Sequence, residues 1–165
     1  PLGFTPKTIR DKRLLPFRVA LQNVMLDLAK QIVRDGEGAT KLVQIAITGA
    51  SSVSAARNIG MSVANSPLVK TAIAGSDPNW GRVAMAVGKS GEPILQERLR
   101  ISIGPFLITE EGRVREEYRE DLVAAYMQGQ EINIGVDVGV GRSRATVWTC
   151  DLTHEYVSIN ADYRS

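Results

Sequence analysis

One cysteine, Cys150, and one histidine, His154, are all that 165 residues hold of either type. A lone thiol cannot form an intrachain disulfide, and nothing points to an oxidising compartment. The two residues are also too few for a structural zinc site, so no metal is expected. Aromatic residues make up 5% of the chain, too few for a base-stacking platform. No apolar run approaches the roughly 20 residues that a membrane-spanning helix needs. The basic start lacks the apolar core and small-residue cleavage site of a signal peptide. These absences argue against nucleic acid and membrane as partners and lead to the expectation of a cytoplasmic protein.

What is present fits a globular domain: 44% hydrophobic and 23% charged residues. The net charge of +2 is unevenly placed. Lys7, Arg10, Lys12, Arg13 and Arg18 face only Asp11 in the first 18 residues, and the remainder is slightly acidic. A basic lead-in on an acidic body reads as a solvated arm. The expected organisation is an arm over residues 1–16 and a single domain over residues 17–165. Pro1 cannot start translation, so something upstream is expected to have been removed.

Hydrophobic periodicity predicts the elements. Phe17, Ala20, Leu21, Val24, Met25, Leu28 and Ile32 recur at helical spacing after Pro16, giving a helix expected to cover a core with one face. Asp35-Gly36-Glu37-Gly38 turns it into a strand over 42–48, apolar on both faces and so expected to be covered on both. A small-residue helix over 55–64 comes next. Ser66-Pro67 and Asp77-Pro78 each place an oxygen acceptor before a proline, the pattern of an N-cap and first helical position. Strands are predicted around 99–103, 106–109, 132–138 and 145–152, with an amphipathic helix over 116–128 through Leu122, Ala125 and Tyr126. The class is α/β of the α+β type, with helices layered on a mixed, largely antiparallel sheet.

Several residues could carry chemistry. Glu37 stands between two glycines on the turn from helix to strand, where backbone can aim a carboxylate at an ammonium group or let it take a proton. On spacing alone an exposed turn glutamate is the simpler reading. The stretch "GEGATK" lacks the full spacing of a phosphate loop and lies after a helix instead of preceding one. In the C-terminal "NADYRS", Asn160 offers an amide with donor and acceptor and Ser165 a hydroxyl, although chain ends usually fray. Lys70 and Arg82 could meet a carboxylate or a neighbouring subunit, or serve in structural ion pairs. Trp80 reads as a packing anchor, His154 as a surface residue and Cys150 as a small buried hydrophobe.

Three blocks carry a resemblance: "VRDGEGATKLV" (33–43), "SPLVKTAIAGSDPNWGRVAMAVGK" (66–89) and "CDLTHEYVSINADYRS" (150–165). Their order and spacing resemble the ornithine acetyltransferase family of arginine biosynthesis, over about residues 17–165. The likeness is to the C-terminal part of that family's β chain. It implies the layered fold shared with N-terminal-nucleophile aminopeptidases and an enzyme that moves acetyl from N-acetylornithine to glutamate through an acetyl-threonine intermediate. Acetyl-CoA is a co-substrate in some members, and no other cofactor is implied. By the same resemblance Glu37, Asn160 and Ser165 bind the amino-acid substrate, Asn160 and Ser165 keeping the family's five-residue spacing.

The family's autocatalytic cleavage before a threonine in a methionine-alanine-threonine setting has no counterpart here, so no catalytic residue is assigned. The nucleophile is expected on another part of the enzyme, with an α chain and the rest of the β chain as partners in an α2β2-type oligomer. The alternative expectation is a non-catalytic binding or assembly module derived from the same fold.

Overall fold

The structure, a computed structural model, describes residues 3–162. Its contacts divide the chain into two units, Pro1–Ile32 and Val33–Ser165.

In the first unit Asp11 caps a single 3-10 turn, Lys12–Leu14, and pairs with Arg13 at 2.7 Å. The Arg13 side-chain hydrogen bonds hold the Asp11 carboxyl below the usual carboxylate range. The Arg13 guanidinium also lies 4.3 Å above the ring of Phe4. Helix α1, Leu15–Arg34, comes after this turn. Within this unit α1 meets no core of its own: none of its residues is buried, and Ile32 is 75% exposed. Among the described residues its own unit has no second α-helix or strand to receive the apolar stripe.

The second unit is built on a six-stranded sheet in the order β4-β3-β2-β5-β1-β6. The strands are β1 (Leu42–Ala50), β2 (Arg100–Ile103), β3 (Phe106–Glu110), β4 (Arg113–Val114), β5 (Glu131–Asp137) and β6 (Ser143–Cys150). Among the described residues only β1 and β5 pair in parallel; the other four pairings are antiparallel. The α/β class with a mixed, largely antiparallel sheet is therefore what the chain adopts. Register aligns β-branched side chains across strands: Val43 opposite Ile132, Ile45 opposite Ile134, Ile47 opposite Val136, and Ile101 opposite Val136 in turn. These residues are at most 2% exposed, and each such side chain contributes about 1.5–3 kcal/mol by leaving water.

Helix α2 (Val53–Ala64) lies on β1 and β6 through Ala55, Ala56, Ile59, Gly60 and Val63. A side chain at Gly60 would reach 3.0 Å from Val147, so the absence of one sets how closely helix and sheet approach. Helices α3 (Pro67–Ala74) and α4 (Trp80–Gly88) pack beside it, and α5 (Glu120–Met127) and α6 (His154–Ala161) complete the unit.

Three expectations change. The second face of β1 is only partly covered: Gln44 and Ala46 are half-buried and Thr48 is exposed. Helix α5 buries Val123 and Met127 while Leu122 is 47% exposed, so its inward stripe sits one residue on from the predicted one. Helix α4 starts at Trp80 with Asn79, not Asp77, as its cap; Asn79 accepts from the Arg82 amide and donates to Asp77. The predicted cap at Ser66 is present, accepting from the Val69 amide ahead of Pro67.

Candidate functional site

Glu37 lies on the turn between α1 and β1, closed by the Ala39 amide donating to the Gly36 carbonyl at 2.9 Å. Of the two glycines flanking Glu37, only Gly38 uses positive φ, at 66°. That conformation, and its close approach to α6, require glycine there. On the far side of the sequence, β6 ends at Cys150 and the chain continues through Asp151 and Thr153 into α6. Sequence alternation predicts a strand as far as residue 152, and composition alone reads residues 160–165 as a frayed end. The strand ends two residues sooner, and a helix stands where the tail begins. Its local signal is Thr153 at the N-cap with Glu155 in the first turn.

Helix α6 brings Asn160 to Glu37. The Asn160 amide Nδ2 donates to the Glu37 carboxylate Oε2 at 2.6 Å and to the Tyr156 carbonyl at 2.9 Å. Both partners are acceptors, so the amide orientation is fixed and its two hydrogens are used. The other oxygens, Glu37 Oε1 and Asn160 Oδ1, take no donor among the described residues. Both side chains are exposed. The pair presents one carboxylate and one amide oxygen side by side, a set that suits an ammonium group far better than a carboxylate. Ser165, the third residue expected at this site, lies outside the described residues.

Polar contacts hold the turn. Asp151, 3% exposed, accepts from the Thr40 and Lys41 amides at 2.8 and 3.0 Å through Oδ1 and from the Thr40 hydroxyl at 2.5 Å through Oδ2. Lys41 Nζ donates to the Ile73 carbonyl, the Ser76 hydroxyl and the Met127 carbonyl at 2.8, 2.6 and 2.8 Å. Three donors meet three acceptors, which joins the start of β1 to the α3–α4 connection and the end of α5. Burial lowers the Lys41 pKa, opposed in part by the charge of Asp151. Ser76 is held at φ 54°, an uncommon conformation that aims its hydroxyl at Lys41. Asp151 and Lys41 carry no signal in the sequence, because their partners are 32 to 111 residues away.

Other candidates separate. Lys70 Nζ lies 3.9 Å from Cys150 Sγ, and a side chain at Gly36 would reach 3.2 Å from that sulfur, so both residues adjoin the Glu37 turn. Cys150 is half-buried, less enclosed than its strand position implied. Arg82 does not join them: it donates to the Leu68 carbonyl at 3.0 Å and binds α4 to α3. Trp80 packs against the core and His154 is exposed at the start of α6. A cavity of about 220 Å³ flanks the turn, lined by Arg34, Thr40, Lys41, Gln130 and Glu131 among others. The Arg34–Glu131 pair there, at 2.6 Å, is exposed on both sides and adds little stability. Among the described residues no group of acids, histidines and cysteines could hold a metal. Nor is any helix among them long and apolar enough to cross a membrane.

A mixed α/β layer with a carboxylate–amide pair at one corner defines the class, and comparison with known proteins gives the family. The ArgJ family model matches residues 5–165. The arginine biosynthesis bifunctional protein ArgJ of Ruegeria pomeroyi is 61% identical over 149 residues, 90% of this chain and 36% of that protein. The protein of the same name from Brucella suis is 57% identical over 155 residues, 94% of this chain and 38% of that one. The crystal structure of the arginine biosynthesis bifunctional protein ArgJ from Bacillus halodurans superposes with a TM-score of 0.92 at 40% identity, covering 98% of this chain and 76% of that chain. The chain belongs to the ArgJ family. It spans little more than a third of the length of these curated relatives, and the resemblance drawn from its three sequence blocks holds.

Proposed function

We propose that this segment supplies the amino-acid-holding corner of an enzyme that moves an acetyl group from N-acetylornithine to glutamate. The observation that carries the reading is the direct contact of Glu37 with Asn160, two residues 123 positions apart in sequence and joined by a 2.6 Å hydrogen bond. Glu37 Oε1 and Asn160 Oδ1 receive the substrate ammonium, and Ser165 adds its hydroxyl from the chain end. In the reaction, a threonine hydroxyl outside this chain takes the acetyl group from the N-acetylornithine nitrogen, which gains a proton and leaves as ornithine. The acetyl then passes to the glutamate amine, which gives up a proton as the threonine hydroxyl re-forms. In this reading Glu37 binds the substrate ammonium or takes the proton that the incoming glutamate amine gives up. Acetyl-CoA is an alternative donor, and the working enzyme is an α2β2-type oligomer in the cytoplasm.

The test is acetyl transfer by the full-length protein that carries this segment. N-acetylornithine and glutamate should yield N-acetylglutamate, and Asn160→Ala should lower kcat/KM by about tenfold or more, the worth of a hydrogen bond to a charged group. Unchanged kinetics in the Asn160 variant would remove the pair from the site. The isolated 165-residue chain should give no product. Turnover by it would contradict a nucleophile supplied from elsewhere.

A further inference from the structure

We infer that Thr153 is a positioning residue for the Glu37–Asn160 pair, its hydroxyl clamping the base of α6 to the Glu37 turn and so fixing where Asn160 stands. The inference rests on reading that pair as the amino-acid site. It begins from a deficit: α6 buries no residue at all. Tyr156, Val157 and Ile159, the larger apolar side chains of α6, are 45%, 61% and 38% exposed. Packing on this helix is only partial, and directional contacts at its base help to set its direction.

Thr153 makes two such contacts with one atom. Its Oγ1 donates its hydrogen to the Gly38 carbonyl at 2.7 Å and accepts the Glu155 amide at 3.2 Å as the N-cap of α6. One bond holds the helix to the turn and the other starts the helix. Gly38 presses against the same base: a Cβ there would fall 2.7 Å from the Glu155 Cβ and 2.7 Å from the Tyr156 amide nitrogen. Glu37 precedes Gly38, so the clamp acts one residue from the carboxylate. Asn160 stands seven residues up the helix, roughly 10 Å along its axis. A tilt of about 10° at the base would move it by nearly 2 Å, enough to break a 2.6 Å hydrogen bond. A serine can make both contacts. An aspartate can cap the helix but has no hydrogen for the Gly38 carbonyl.

That difference separates positioning from stability. In the full-length protein, Thr153→Asp should stay folded with at most a small fall in melting temperature, because the cap survives, yet raise KM for N-acetylornithine about tenfold with kcat within about twofold. Thr153→Ser should restore the wild-type KM. Combined with Asn160→Ala, Thr153→Asp should add nothing, since its effect passes through Asn160. The proposal is overturned if Asn160→Ala raises KM while Thr153→Asp leaves it unchanged, or if the two effects add. It is equally overturned if the serine variant fails to restore KM, or if Thr153→Asp no longer folds, which would make Thr153 a stability residue. An unchanged KM in Asn160→Ala alone would instead remove the site reading, and this inference with it.

Discussion

The centre of the sheet and the corner where α6 meets the Glu37 turn are held by different forces. Along β1 and β5 the cohesion is apolar: Val43, Ile45, Ile132 and Ile134 are almost completely shielded and aligned across a parallel pair. At the corner, α6 has no buried side chain, and its place is set by Thr153, Gly38, Asp151 and the Glu37–Asn160 bond. Burial gives large, non-directional stabilisation. Hydrogen bonds contribute about 1 kcal/mol each, but fix angles. A site that must offer two oxygens to a ligand needs direction and access more than depth, and the corner has both. The connection between the two regions runs through Lys41, whose backbone is held by Asp151 and whose ammonium reaches across to Ile73, Ser76 and Met127.

Substitutions can sharpen this contrast. Ile45→Ala removes a fully shielded side chain between β5 and β6, and should lower unfolding free energy by about 2–5 kcal/mol in urea denaturation. A loss below about 1 kcal/mol would mean that the centre is less tightly packed than its burial shows. At the other extreme, Val157→Ser on α6 replaces a 61% exposed side chain and should change stability by no more than about 0.5 kcal/mol by the same measurement. A loss comparable to that of Ile45→Ala would show that α6 is held by apolar packing, and the distinction between the two regions would fail.

Local signals make the centre legible. The period-two alternation through Ile132, Ile134, Val136 and Val138 marks β5, and Ser66-Pro67 marks the start of α3, because each states its own geometry within a few residues. Where an expectation fails, a distant partner decides. The inward stripe of α5 depends on which side meets the sheet, and Val123 wins over Leu122. The second face of β1 looks apolar enough to be covered, yet Gln44 is half-buried and Thr48 open. Asn79 displaces Asp77 as a cap because its side chain reaches the Arg82 amide. At the site, Glu37 and Asn160 are named by a family resemblance, while composition favours an exposed turn and a frayed end. Their contact spans 123 positions and cannot be read from spacing. Asp151 escapes sequence reasoning for the same reason, and so does the bond from Thr153 to Gly38, although the cap pattern before α6 is local.

Glu37→Gln decides whether Glu37 binds charge or holds the fold. Glutamine keeps the size and an oxygen for the Asn160 amide, removes the negative charge and turns the free acceptor into an NH2 donor. In the full-length protein, the KM for N-acetylornithine should rise about ten- to a hundredfold, the equivalent of roughly 1.5–3 kcal/mol for a lost charged hydrogen bond, with the melting temperature nearly unchanged. An unchanged KM would return Glu37 to an ordinary turn residue, and a fall in melting temperature without a change in KM would make its contact with Asn160 a structural one.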